Sequence, residues 1–505
     1  MLLVVVPRLL QESRHLGLSV LLCLSLFEAT LSVTPSSSLR LTPIGQVTNT
    51  TSLNYAVESR IYPEDPNLVF VTCRGGGLTV LRVTENESPA EVSVQFAFRW
   101  ETAAVVEGQD RLADLLVVAE LGHFPGFDRH SSGPQLHLFD LTDLGTLSSN
   151  LRPYASLSLS DHIDGILHTK LLRLPPSASG SGSVPAATWA LCTGGLAARV
   201  AGGIVAVDIS SYILPSRTVS HGISRSGHST AAAAVHVLET PVVFPEGLLV
   251  VGTYLYVGGI SSSKLAVVDV SDPARMRLVR VVDAVGAQLV GALWPPPHPA
   301  WVDTPVVEAS AQQHQQQQQP QQQLQQQQQH STTTTAASHE PSSGAYLAAW
   351  GDVGGLVRVD VSEPASPLVT QSLKSASLAF ANRVVLKLLQ EGPNKNSNNS
   401  NNSDNSNNNS NLPARLFAFL PLEQQPRGGV AIVEVSGGRM VAAAPVLHLP
   451  EIANYNNRAV GTNTKAYCLA LPGSRTLLVF SAMTSTMYIY SIHFDPDLSS
   501  ESVAI

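Results

Sequence analysis

Seven times along the chain a short hydrophobic run reaches a polar position, acidic in five of the seven copies, and breaks at a turn, and nothing constrains the possible folds more than that repetition. The sharpest copies are KLAVVDVSDPA from Lys264 and GGLVRVDVSEPASP from Gly354. Looser copies begin at Gly77 (GLTVLRVTENESP), Gln135 (QLHLFDLTDLG), Gly203 (GIVAVDISS), Gly429 (GVAIVEVSGG) and Thr486 (TMYIYSIHFDP). The acidic column reads Arg82, Asp140, Asp208, Asp269, Asp360, Glu434 and Ser491, a period of roughly 55 to 65 residues once two low-complexity inserts are set aside.

Each copy follows a second hydrophobic run, such as LVFVTC from Leu68, YLYVGG from Tyr254 or RLFAFLP from Arg415, and Gly-rich links such as RGGG and GDVGG join the two. Glycine supplies the positive φ of tight hairpin turns, so each pair reads as antiparallel strands. A further run precedes each pair and a fourth follows, as in GLLVV and RLVRVV around the fourth copy. Four antiparallel strands per repeat and about seven repeats make the fold class all-β, a seven-bladed β-propeller, in which closure removes the exposed edges of an open sheet. The N-terminal stretch SLRLTPIGQV alternates like a strand, whereas the C-terminal tail is short and polar, so the former is expected to complete the last blade.

The Leu-x-Val-x-Asp-Val strand and Asp/Glu-Pro turn of the fourth and fifth copies resemble the LVIVD repeat. That resemblance implies a propeller and implies little about function, since such repeats are known mainly from extracellular or surface proteins.

The column of acids has a structural role at hand: a carboxylate closing a strand accepts hydrogen bonds from the N–H groups of the next turn, while Pro273 and Pro364 stop the ladder. A ring of carboxylates lining a channel would need seven acids, and Arg82 and Ser491 are not acidic.

Residues 1–32 follow the order of a secretory signal, with Arg8, Arg14 and His15 ahead of the apolar run from Gly17. A secreted or cell-surface protein follows, an uncleaved anchor being the alternative. Asn49 and Asn86 head glycosylation tripeptides. Removal of the signal would take Cys23 and leave three cysteines, too few and too uneven for a disulfide framework. The apolar stretch Trp189 to Val207 is broken by paired glycines and suits strands better than a membrane-spanning helix. The propeller is assigned to 33–496, with a Gln-rich insert at 303–343, an Asn/Ser-rich insert at 391–413 and a tail at 497–505.

With strands A to D counted outward from the centre, A–B and C–D hairpins share one face and B–C and D–A links the other. Both inserts, and PPSASGSGSVP from Pro175, fall at A–B positions. Crowding there makes the opposite face the better place for a site. On it lie the loop carrying His123, Asp128, Arg129 and His130 and the B–C cations Arg74, Arg199, Lys264 and Arg427, which suggest an anionic ligand or acidic partner. DHIDGILH, from Asp161, could start a strand or offer His162 to a metal.

A net charge of −8 gives no electrostatic case for nucleic acid. No nucleophile elbow, zinc-protease or phosphate-loop motif occurs. The sequence therefore favours a non-catalytic platform for a protein or glycan, with no cofactor and no metal assigned. The alternative is a propeller hydrolase or lyase with a metal-assisted site near the axis.

Overall fold

The structure is a computed structural model and describes residues 39–85, 92–102, 105–122, 133–142, 151–175, 186–195, 202–213, 233–259, 262, 264–282, 292–294, 344–349, 351, 353–390, 414–423, 428–436, 439–450, 466–482 and 484–494. Seven antiparallel sheets succeed one another along the chain, each with its strands hydrogen-bonded in sequence order, except where the last blade takes a strand from the N-terminus. The expected seven-bladed propeller is thus the fold. Blade six carries two short outer pieces, Val441–Ala442 and Leu447–His448, both paired with Gly429–Glu434.

The innermost strands are Ala56–Tyr62, Val106–Leu112, His168–Leu174, Pro245–Val251, Ala292–Trp294, Val385–Gln390 and Ala466–Ala470, in blades one to seven. The ring closes as its sequence pattern suggested. Leu39–Thr48 pairs antiparallel with Thr486–Phe494 and becomes the outer strand of blade seven, with Leu39 buried at 1% exposure.

Both faces of the middle strands are apolar because each blade packs against two neighbours. Val69, Val71 and Leu81 of blade one meet Leu478, Phe480 and Ile489 of blade seven, and Tyr256 and Val267 of blade four meet Leu347 and Val357 of blade five. Burying each such side chain contributes at most about 1.5–3 kcal/mol. Blades four and five are also joined by polar bonds, from Tyr256 Oη to the Pro364 carbonyl at 2.9 Å and from Arg280 to Ser366 Oγ at 2.9 Å.

The acidic column performs its turn-closing role. Asp140, Asp208, Asp269 and Asp360 each accept a hydrogen bond from the backbone N–H two residues on, at 3.0, 2.9, 3.0 and 2.9 Å. Glu434 instead pairs with Arg415 across the blade, Nε to Oε1 at 2.8 Å. These residues end C strands, away from the axis, so they line no channel. At the B–C turn of blade one, Gly77 sits at φ 77°, and a Cβ there would lie 2.1 Å from the Trp100 carbonyl oxygen.

The stretch from Trp189 to Val207 divides between two strands of blade three, Ala187–Gly195 and Gly202–Asp208. Among the described residues no helix is long and apolar enough to cross a membrane. Cys73, Cys192 and Cys468 are free and buried. Burial pushes the Cys192 and Cys468 thiols up to about 12, which leaves them unreactive. The segment expected to be a signal, both inserts and the tail lie outside the described residues, but the strands flanking the inserts place each at an A–B position, on one face.

Candidate functional site

On the face opposite those inserts, the inner strands begin with an irregularity that recurs around the ring. The pairing of A with B skips one residue near the start of the strand in blades one, two, four and seven, and the skipped residues are Val57, Glu107, Glu246 and Tyr467. A β-bulge re-aims the side chain of its extra residue. Four equivalent bulges therefore present two carboxylates, a tyrosine and a valine around the mouth of the axis. Glu107 is 1% exposed, Glu246 3% and Tyr467 8%.

Arg74, from the B–C turn of blade one, reaches into this mouth. Its Nε donates to Glu107 Oε2 at 2.5 Å and its second nitrogen to Oε1 at 2.7 Å, a two-pronged pair between blades one and two. The guanidinium lies 5.2 Å from the Tyr55 ring centre and 5.7 Å from that of Tyr467. Across the mouth, Asn382 donates a short hydrogen bond to Glu423, which follows strand B of blade six and is half-buried.

One level inward, Glu58 ties four blades together. Its carboxylate accepts from Arg60 at 2.8 Å and from Arg383 of blade six at 3.0 Å, and its other oxygen accepts from the Gln109 N–H of blade two at 2.9 Å. Arg60 also donates to His168 Nε2 of blade three at 3.1 Å. An acceptor at Nε2 puts the imidazole proton on Nδ1, which stands 3.8 Å from Glu58. Deeper still, Asp110 accepts from the Leu171 N–H at 2.8 Å and pairs with Lys170 at 3.5 Å.

Burial governs the protonation of these groups. Desolvation alone would push the Glu58 carboxyl up, but the guanidiniums of Arg60 and Arg383 outweigh it and hold it well below the usual carboxylate range. Desolvation keeps His168 neutral, its pKa well below the ordinary imidazole value. Glu246 has no such partner: burial, reinforced by the charge of Glu107, pushes its carboxyl up to about 7. Its Oε2 is buried without a hydrogen-bond partner, as is Asn382 Oδ1.

The mouth is bordered by aromatic residues in strained backbone. Tyr55, Phe244 and Phe380, each in a D–A link, have φ of 58°, 46° and 56°. Left-handed geometry at such bulky residues costs on the order of 1–3 kcal/mol each. Phe244 is 45% exposed.

Of the cations expected on this face, Arg74 lies at the axis, but Glu107 neutralises it, which removes it as support for an anionic ligand. Lys264 is an exposed turn residue whose N–H donates to Ser262 Oγ. Arg199, Arg427, His123, Asp128, Arg129, His130 and Asn86 lie outside the described residues. Asn49 Oδ1 accepts from the N–H groups of Thr51 and Ser52 at 3.0 and 2.8 Å, closing a turn after the N-terminal strand. His162 sits in an exposed turn before His168 starts strand A of blade three. Among the described residues, no group of three His, Cys, Asp or Glu side chains is placed to hold a metal.

The axial residues escaped the pattern of the C strands, yet a signal was present. VES from Val57, VEG from Val106 and PEG from Pro245 each place a glutamate at the start of an inner run. A glutamate in an otherwise apolar strand start is costly unless it is paired or used.

The LVIVD repeat model matches residues 246–284 and 344–374. The first span runs from Glu246 through all four strands of blade four, so one repeat is one blade. The chain is a β-propeller that carries LVIVD repeats in blades four and five. No curated protein matches it. Among solved structures, the extracellular domain of a hybrid two-component system from B. thetaiotaomicron aligns at a TM-score of 0.35 and 9% identity, over 86% of this LVIVD propeller and 40% of that chain. The LVIVD chain thus spans less than half the length of that protein. Sqt1 from Chaetomium thermophilum, bound to the N-terminus of ribosomal protein L10, aligns at 0.38 and 9% identity over 84% and 81% of the two chains.

Proposed function

We propose that this LVIVD propeller is a secreted or cell-surface, non-catalytic binding platform whose contact surface is the mouth of the axis on the face without low-complexity inserts. The observation that carries it is the set of strained aromatic residues, Tyr55, Phe244 and Phe380, held around that mouth. Backbone strain persists where surrounding structure overdetermines it; Phe244 is exposed and Tyr55 and Phe380 half-buried, and aromatic side chains are common anchors of recognition surfaces.

The axis does gather Glu58, Asp110 and His168 from three blades, as a propeller hydrolase would. Glu58 and Asp110, however, are engaged by Arg60, Arg383 and Lys170, and His168 accepts from Arg60. An acid so paired is a poor general base, and this favours binding over metal-assisted hydrolysis.

The test is binding of the purified protein, made through a secretory route, to intact cells measured by flow cytometry. Phe244→Ser and Tyr55→Ser are expected to weaken binding at least tenfold, whereas Arg275→Ala on the opposite face leaves it unchanged. Protease or glycosidase treatment of the cells separates a protein from a glycan partner. Equal binding by all variants, or no binding by the wild type, refutes the proposal. Sequencing the mature N-terminus of the same sample checks cleavage near Ser32.

A further inference from the structure

Two buried acceptors in the mouth are unsatisfied, and one of them belongs to a residue that donates to a carboxylate, Glu423. Glu246 Oε2 and Asn382 Oδ1 have no hydrogen-bond partner, and their residues are 3% and 2% exposed. Such groups are costly to bury unless something completes them. Glu246 senses the charges of Glu107, Arg383, Glu423 and Arg74, and Tyr467 senses Arg74, Glu423, Glu246 and Glu107, so these groups form one cluster spanning blades one, two, four, six and seven.

Among the described residues the ion pairs of this region join Arg74 to Glu107, Arg60 and Arg383 to Glu58, and Lys170 to Asp110. Ionised Glu246 therefore adds a negative charge that none of these pairs offsets. An ammonium or guanidinium offers several donors at once and can serve both Glu246 Oε2 and Asn382 Oδ1. Tyr467, Tyr55 and exposed Phe244 supply the aromatic surroundings in which a cation with an aliphatic stem is favoured.

We infer that Glu246, Glu423 and Asn382 form the docking point for a single arginine or lysine side chain of a protein partner, which enters the axis between the aromatic residues of the insert-free face. This rests on that face being the binding platform, and it selects a protein over a glycan as the partner. The inserted cation completes Glu246 Oε2 and Asn382 Oδ1 and gives the ionised form of Glu246 a counter-charge. Binding therefore draws Glu246 into its ionised state and releases a proton wherever the free protein holds it protonated.

The probe is a short end-blocked Gly/Ser peptide with one central arginine, compared with the same peptide carrying neutral citrulline, titrated against the full chain by NMR. The arginine peptide is expected to bind with a Kd on the order of 1 mM and the citrulline peptide at least tenfold more weakly. Because Glu246 titrates near 7, affinity for the arginine peptide should rise about tenfold from pH 6 to pH 8. Glu246→Gln should remove both the preference for arginine and the pH dependence while melting no lower than the wild type. Glu423→Gln, at a half-buried position, should weaken the arginine peptide severalfold and provides the readout if the first variant does not fold. No binding, equal binding of arginine and citrulline peptides, or wild-type behaviour of both variants overturns the inference. Binding of spermidine without binding of the peptide also overturns it, assigning the site to a small amine. If cell binding is lost in Phe244→Ser but kept in Glu246→Gln, the platform stands and the cationic anchor falls; if both variants bind like wild type, both fall.

Discussion

Replacing Glu58 by Gln should be among the most damaging single substitutions in the molecule, although it changes no volume. Glu58 is 1% exposed and accepts from Arg60, Arg383 and the Gln109 N–H. A neutral amide leaves the Arg383 guanidinium, itself 7% exposed, and the largely buried Arg60 without a counter-charge. Removing one partner of a buried pair costs about 3–5 kcal/mol, and His168, kept neutral by burial, cannot substitute. For a chain of this size each kcal/mol corresponds to about 1 °C in Tm, so the melting point should fall by about 3–5 °C. The decisive assay is a double-mutant cycle in urea with Arg383→Met. Because Arg383→Met removes one of the stranded charges, the double variant should be more stable than the summed single effects by about 2 kcal/mol or more. A loss below about 1 kcal/mol for Glu58→Gln, or a coupling near zero, would refute the claim that this ion pair holds the blades together across the axis.

Leu39→Asp puts a charge into the seam where the N-terminal strand closes blade seven, and should cost at least about 3 kcal/mol; exposing the edge of Thr486–Phe494 should also produce oligomers visible by size-exclusion chromatography. Asp269→Ala removes the acceptor of the Ser271 N–H and should cost about 1 kcal/mol in urea unfolding, while Arg82→Ala, at the matching but exposed position of blade one, should be neutral. Glu246 gives a pH dependence of definite sign. Its folded carboxyl titrates near 7 and its unfolded one near 4.5, so its contribution is complete below pH 4.5 and is lost as pH rises through 7. That is about 3 kcal/mol, measured as the difference in pH profile between wild type and Glu246→Gln. A parallel profile for the two proteins would mean that Glu246 is ionised in the fold.

The blades were legible because everything that defines them is local. Alternation, the glycines of RGGG and GDVGG, and the Asp that closes its own turn two residues on lie within a few positions of one another, so seven copies could be counted and their strands ordered. The last blade's outer strand was legible for a related reason, since SLRLTPIGQV carries strand alternation that the polar C-terminal tail lacks. Arg74 was placed on the right face by the same bookkeeping, but its neutralisation by Glu107 was not visible. Which inner-strand residue becomes the bulge depends on how strand A meets strand B, and only that pairing shows that the glutamates of VEG and PEG are bulge residues while that of VES lies one position inward.

By itself, then, the sequence determined the number of blades, the order of strands within each and the face on which the inserts fall, because short-range periodicity and turn chemistry settle these. Only the tertiary structure decided the axial site. Glu58 and Arg383 are 325 positions apart, and His168 comes from a third blade; their charges meet because the ring closes and brings the starts of the inner strands to one axis.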